Sequence, residues 1–322
     1  MPIYRGPIVD AHQHFWRPGS GRIPWLKPDA AIDFRYGDYS AIKRDYLPPD
    51  LIRDAGDLAL VGSVWVETEW DRDDPVGEIR DLLRTRDRYG LPDAAVAHAV
   101  LADPAVDETL AALTAETDLV RAIRNKPGQA AGPADAARQP TLMSDPQWQR
   151  GFARLADHGL GFELQTAWWH LDEALALARL HPEIPIMINH AALPADRSPE
   201  AIDSWAAALR RIATAEQVAI KISGIGLPGR PWTVADNRII VETIAEIFGP
   251  QRILFASNFP VDSLVAGYRQ IYDGFLTITE TWSPDEQRAA FIDNAIRLYR
   301  LDPAIARRPH PLTMSNPETI DD

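Results

Sequence analysis

The chain has 322 residues, 46% of them hydrophobic, enough for a large core and ordinary for an α/β barrel, which needs ~250 residues plus insertions. A net charge of −13, from 33 basic and 46 acidic residues, argues against a nucleic-acid surface, which would need clustered Lys and Arg. A mean hydropathy of −0.22 without any long uncharged apolar run excludes a membrane-spanning helix, and the absence of cysteine excludes disulfides, thiolate ligands and a cysteine nucleophile.

The first residues carry no signal-peptide pattern, which together with the missing cysteine leads to the expectation of a cytoplasmic protein. In chain order, β-branched runs predict strands at Pro7–Ala11, Leu60–Val66, Ala94–Leu101, Val120–Ile123, Gly161–Gln165, Ile184–Asn189, Val218–Ile222 and Arg252–Ala256. Amphipathic stretches between them predict helices, among them "DPVGEIRDLLRTRDRYG", "DPQWQRGFARLADHG" and "SPEAIDSWAAALRRIATAE". Each of these opens with a capping Asp or Ser followed by a proline suited to the first turn. Eight strands joined by helical crossovers predict a single (β/α)8 barrel of the α/β class. A doubly wound open sheet is the alternative, weakened because no Gly-x-Gly-x-x-Gly turn follows the first strand. Three stretches interrupt the rhythm: Arg17–Asp50, Asn125–Asp145 and Gly224–Trp232. All follow strands, so in a barrel they form long loops over the C-terminal face, where active sites are built. Residues 1–302 are expected to form one domain, and 303–322 a polar tail.

The strand ends are rich in polar chemistry that is costly to bury without partners. The first ends in His12-Gln13-His14, the second passes Glu67 and Glu69, and the fourth closes on Arg124. Gln165 ends the fifth ahead of Trp168 and Trp169, His190 follows the sixth, Lys221 lies in the seventh, and Asn258 follows the eighth. Alternation along a strand points His12 and His14 to one side with Cα atoms roughly 6–7 Å apart, close enough to share an ion with bonds of ~2.1 Å. His190 can supply a third nitrogen. Arg124 suits a substrate carboxylate, which its planar fork accepts in two places, and Lys221 can act similarly.

"VDAHQHFW", "PWL", "YLPPDL", "INHAALP", "KISGIG", "FASNFPVD" and the closing "DNAIRLYRL" together resemble the amidohydrolase-related branch of the amidohydrolase superfamily. That branch includes L-fuconolactonase-like, L-rhamnonolactonase-like and 2-pyrone-4,6-dicarboxylate lactonase-like enzymes, and the similarity runs from Ile8 to Arg300. The resemblance implies a TIM barrel that opens a lactone or related cyclic ester. It implies that His12 and His14 sit at the metal or carbonyl position and that His190 is the later-strand histidine of the site. One divalent metal, zinc the first choice, is expected on His12, His14 and His190; operation without a metal is also open. The catalytic residues are then His190, Asn258 and Glu69, and the substrate is held by Arg124, Lys221, Gln165, Trp168 and Trp169. The expected partner is a small-molecule substrate, with no nucleic acid and no membrane, and a homo-oligomer is compatible with the sequence.

Asn258 departs from the pattern. Most active relatives read "SDWP" where this chain reads "SNFP", and an amide cannot serve as general base near neutral pH. His190, Glu69 or Asp262 must then relay the proton, helped by an ion that lowers the pKa of water towards ~7. Two rivals follow: a decarboxylase or lactone isomerase on the same scaffold, or a binder without catalysis.

Overall fold

The computed structural model of the chain describes residues 4–309. Eight strands run in the order they occur: β1 (Ile8–Gln13), β2 (Leu60–Val66), β3 (Ala94–His98), β4 (Val120–Arg124), β5 (Gly161–Leu164), β6 (Ile186–Ile188), β7 (Val218–Ile222) and β8 (Ile253–Phe255). Every neighbouring pair is parallel. The seam between β8 and β1 is closed at the end of β1 by residues just past β8. Asn258 N–H donates to the His12 carbonyl at 2.8 Å and His14 N–H donates to the Phe259 carbonyl at 2.8 Å. The sheet is therefore a (β/α)8 barrel. None of its helices among the described residues is long and apolar enough to cross a membrane.

Local chemistry explains the helices. Asp74 accepts from Gly77 N–H, Asp145 from Gln147 and Trp148 N–H, and Ser198 from Ala201 N–H. Each thereby satisfies donors left over in a first turn that begins with proline. The helices Pro75–Tyr89, Pro146–Asp157 and Pro199–Ile212 follow, and their apolar faces cover the outside of the sheet. Small residues fill the barrel's interior: Val9, Val64, Val96, Ala122 and Ala219 form a cluster with Tyr299 and Ile305 from the C-terminal segment, which closes the lower end.

The chain stays packed beyond residue 302. Pro303–Arg307 forms a short 3-10 turn with Ile305 only 3% exposed, and Arg308 Nη1 reaches the Val61 carbonyl (3.0 Å) and Asp93 (2.8 Å). Ile305 and Asp93 occupy the space a side chain at Gly62 would need, so a larger residue there would have to displace them. The tail expected from residue 303 therefore begins as a plug of the barrel, because Ile305 finds a buried seat. Residues 310–322 lie outside the described residues.

The Arg17–Asp50 excursion is ordered by its own side chains. Trp16 and Tyr46 exchange backbone hydrogen bonds (3.0 and 3.1 Å) at its base. Trp25 sits against Trp16, Phe34 and Tyr39, with centroids 5.4–5.8 Å apart, the spacing of favourable aromatic pairs. Tyr36 hydroxyl donates to Asp262 (3.1 Å) and Arg35 Nη2 to the Gly224 carbonyl (2.6 Å), pinning the far side of the excursion above β7 and β8.

Candidate active site

One cavity with about 570 Å³ of empty space opens at the C-terminal ends of the strands. His14, Glu69, Arg124, Gln165, His190 and Asn258 line it, so six of the residues singled out in the sequence share one mouth. His12 lies beneath, fully buried, its ring centroid 5.2 Å from that of His14 and 4.7 Å from that of His190.

Three of these residues sit in a strained backbone. Glu69 (φ 57°), His190 (φ 53°) and Asn258 (φ 57°) are all left-handed, and Ala191, Ala192 and Leu193 continue the turn at 54–59°. Such residues cost about 1–2 kcal/mol each without glycine and persist where surrounding contacts over-determine them, often at functional sites. The turn aims His190 over the mouth. Gly224 (φ 55°) backs it so closely that a Cβ there would lie 2.7 Å from His190 Nδ1.

Burial and nearby cations keep the imidazoles neutral. Burial pushes His14 down to about 3, with Arg124 adding to the effect. His190 is lowered well below its ordinary value by burial and then by Arg35; His12 by burial and then by Lys221. His14 Nδ1–H donates to the Val66 carbonyl at 2.7 Å, and His190 Nδ1 shares a hydrogen bond with Ser223 Oγ at 2.9 Å. These partners fix the ring orientations and leave each Nε2 for the cavity side. Neither nitrogen of His12 has a partner, a costly condition for a buried polar ring. A divalent ion would satisfy one of the two nitrogens, and neutral imidazoles are the form that binds one. The donor chemistry therefore fits a metal. Among the described residues, however, no three His, Asp or Glu side chains are drawn up at ligand spacing: the rings gather without forming a closed cage.

Asn258 Nδ2 donates to Asp262 Oδ1 at 2.7 Å. A carboxylate only accepts, so this bond fixes the amide and leaves Oδ1 to meet a water or substrate. Burial raises Asp262 to about 6, which leaves it ionised at neutral pH. Arg124 is held in place, with Nε on Glu67 Oε1 (2.6 Å), Nη2 on the Glu67 carbonyl (2.8 Å) and Nη1 on Gln165 (3.0 Å). Glu67 is lowered to about 2 despite its burial, chiefly by Arg124 and Lys126. Glu69 pairs with Lys126.

Three expected substrate contacts lie elsewhere. Lys221 is fully buried in an ion pair with Glu163 (2.8 Å), below the cavity. Its position in β7 turns it into the barrel interior one layer beneath the mouth. Trp168 and Trp169 form a 3-10 turn with His170 that carries them to a separate cleft with Leu193 and Ser204. In their place the cavity has Arg35, Lys126, Trp25 and Phe34. Lys126 had a readable signal, since it follows Arg124 by two residues. Arg35 had none, because only the long-range Tyr36–Asp262 bond and its own bond to Gly224 bring it there.

Glu78 supports the site from behind. Its Oε1 accepts from Thr68 N–H (2.8 Å) and Oγ1 (2.7 Å), and burial, then Glu67, raises it to about 8. The folded state keeps this proton to about pH 8, whereas an exposed glutamate loses it near 4.5. Stability from this group is thus complete below the lower value and falls as pH rises through the higher one. Glu78→Gln is expected to keep both Thr68 bonds and flatten that decline. Urea midpoints from pH 6 to 9 should fall more steeply in the wild type, and identical slopes would refute the assignment.

The amidohydrolase family model matches residues 9–301. The chain belongs to the amidohydrolase family. This amidohydrolase is 35% identical over 295 residues to uncharacterized protein y4mH of Sinorhizobium fredii, covering 91% of this chain and 98% of that one. It is 28% identical over 315 residues to an L-fucono-1,5-lactonase of Burkholderia multivorans, covering 93% and 98%. Among solved structures, a Burkholderia multivorans amidohydrolase with bound zinc superposes with a TM-score of 0.75 at 27% identity, covering 92% of this chain and all of that one. Lactonase relatives and family membership together make this protein a hydrolase.

Proposed function

We propose that this amidohydrolase opens a lactone or closely related cyclic ester. The observation that carries the reading is the meeting of neutral His190 with the fixed Asn258 amide at one cavity, in a family member whose relatives include an L-fucono-1,5-lactonase. Water adds to the lactone carbonyl, the ring C–O bond breaks, and a hydroxy acid leaves. Asn258 Oδ1 accepts a hydrogen bond from the attacking water and orients it. His190 Nε2 takes the water's proton and returns it to the ring oxygen as that bond breaks. Of the three histidines expected at a metal, His12 and His14 would hold the divalent ion, because Ser223 engages His190 Nδ1 and the proton needs its Nε2. When bound, the ion supplies a Lewis acid that polarises the carbonyl and acidifies water. Support for zinc comes from the orphaned nitrogens of His12 and the zinc of the Burkholderia relative.

A panel of aldonolactones in weak buffer, followed by indicator, should release one proton per ring opened. Carbon dioxide from a carboxylic acid, with every lactone inert, would favour a decarboxylase instead. Protein purified without chelator should contain zinc, and His12→Ala should lose it. No ion in either protein would remove the metal from the scheme.

A further inference from the structure

The cavity holds three cations, Arg35, Arg124 and Lys126, against two carboxylates, Glu67 and Glu69. Both carboxylates are engaged, Glu67 by Arg124 and Glu69 by Lys126. With neutral imidazoles, the side chains lining the cavity sum to one positive charge on a chain whose net charge is −13, partly offset by ionised Asp262 outside the lining. That charge is Arg35. Among the described residues its guanidinium forms no ion pair: Nη2 donates to the Gly224 carbonyl at 2.6 Å, and the group packs over its neighbour Tyr36, 4.6 Å from the ring centroid. Asp262 is the nearby carboxylate, and its Oδ1 accepts from Tyr36 and Asn258. Arg35 also stands beside the chemistry. A Cβ on Gly224 would meet His190 Nδ1 at 2.7 Å and Arg35 Nη1 at 3.2 Å. A guanidinium has five donors in a planar fork that matches a carboxylate, and a single backbone carbonyl leaves most of them free.

We infer that Arg35 is the receptor for a free carboxylate on the substrate, so that the lactone this site takes is an acidic one, such as the lactone of a sugar diacid. The inference rests on the lactone-opening reading above and narrows it. Trp25 and Phe34, stacked 5.7 Å apart on the same excursion, wall the cavity beside Arg35 and offer apolar faces to the sugar ring.

The test compares a glucarolactone with the gluconolactone of the same ring size, alike except for carboxylate or hydroxymethyl at C6. In the wild type, kcat/KM for the acidic lactone should exceed that for the neutral one by about 10- to 100-fold, the range of a charge-assisted hydrogen bond. The advantage should shrink as salt is added. In Arg35→Gln the ratio of the two should fall to about one. Tyr36→Phe removes the other pin of the excursion, and it should change both substrates together and keep the ratio. A ratio near one in the wild type, or one unchanged by Arg35→Gln, overturns the proposal. Fast turnover of the neutral lactone alone would sink the acidic class and leave the lactonase reading standing. If neither lactone opens but glucarate binds by calorimetry in an Arg35-dependent way, the carboxylate receptor stands and the lactonase reading falls. Without turnover or glucarate binding, both fall.

Discussion

His190→Asn is expected to lower kcat/KM for lactone opening by about 10²- to 10⁴-fold, the usual contribution of a positioned proton-transfer group, while the melting temperature stays within a few degrees. Asparagine suits this test because it tolerates the left-handed backbone better than most residues, and His190 sits at φ 53°. Loss of activity then reports the imidazole and not a collapsed turn. Steady-state kinetics of both proteins against one lactone, with zinc content measured in parallel, decide the matter. Retention of more than a tenth of the activity would remove His190 as the relay and shift the role to Glu69 or Asp262.

Lys221→Met should act in the opposite way, through stability. Glu163 also accepts from Tyr299 hydroxyl and Asn189 Nδ2, and it and Lys221 are both fully buried. Removing the lysine strands a carboxylate in the barrel floor, at a cost of about 3–5 kcal/mol. For a chain of this size that corresponds to a loss of roughly 4–7 °C in melting temperature. Pairing the change with Glu163→Gln should recover much of it, since a neutral amide tolerates the site. Calorimetry of the single and double variants checks the account. An unchanged melting temperature together with a large rise in KM would return Lys221 to the substrate site and contradict the buried pair.

The outcome for Lys221 shows what a sequence can disclose. Strands and helices were legible because their causes are local: β-branched runs, and Asp-Pro or Ser-Pro caps such as Asp145-Pro146 and Ser198-Pro199. His12 and His14 were legible as a pair because side chains repeat every second residue along a strand, and Glu69 because it follows a strand end and all strand ends face one way. Depth along a strand was not. Lys221 and Arg124 both lie near strand ends, yet one faces the mouth and the other the layer below, a difference set by barrel stagger. Trp168 and Trp169 were misplaced because a turn after β5, not the strand itself, decides where they go. Arg35 was invisible because its position depends on partners 189 and 226 residues away through Gly224 and Tyr36–Asp262.

The hydrogen bonds that shut the cylinder run through His12, His14 and Asn258. A clasp and a catalyst are thus one object here: any fluctuation that parts the first strand from the last must first dismantle the reaction centre. Heat should therefore silence this enzyme before its secondary structure begins to melt, and a bound ligand bridging that joint would act as a rivet for the whole cylinder.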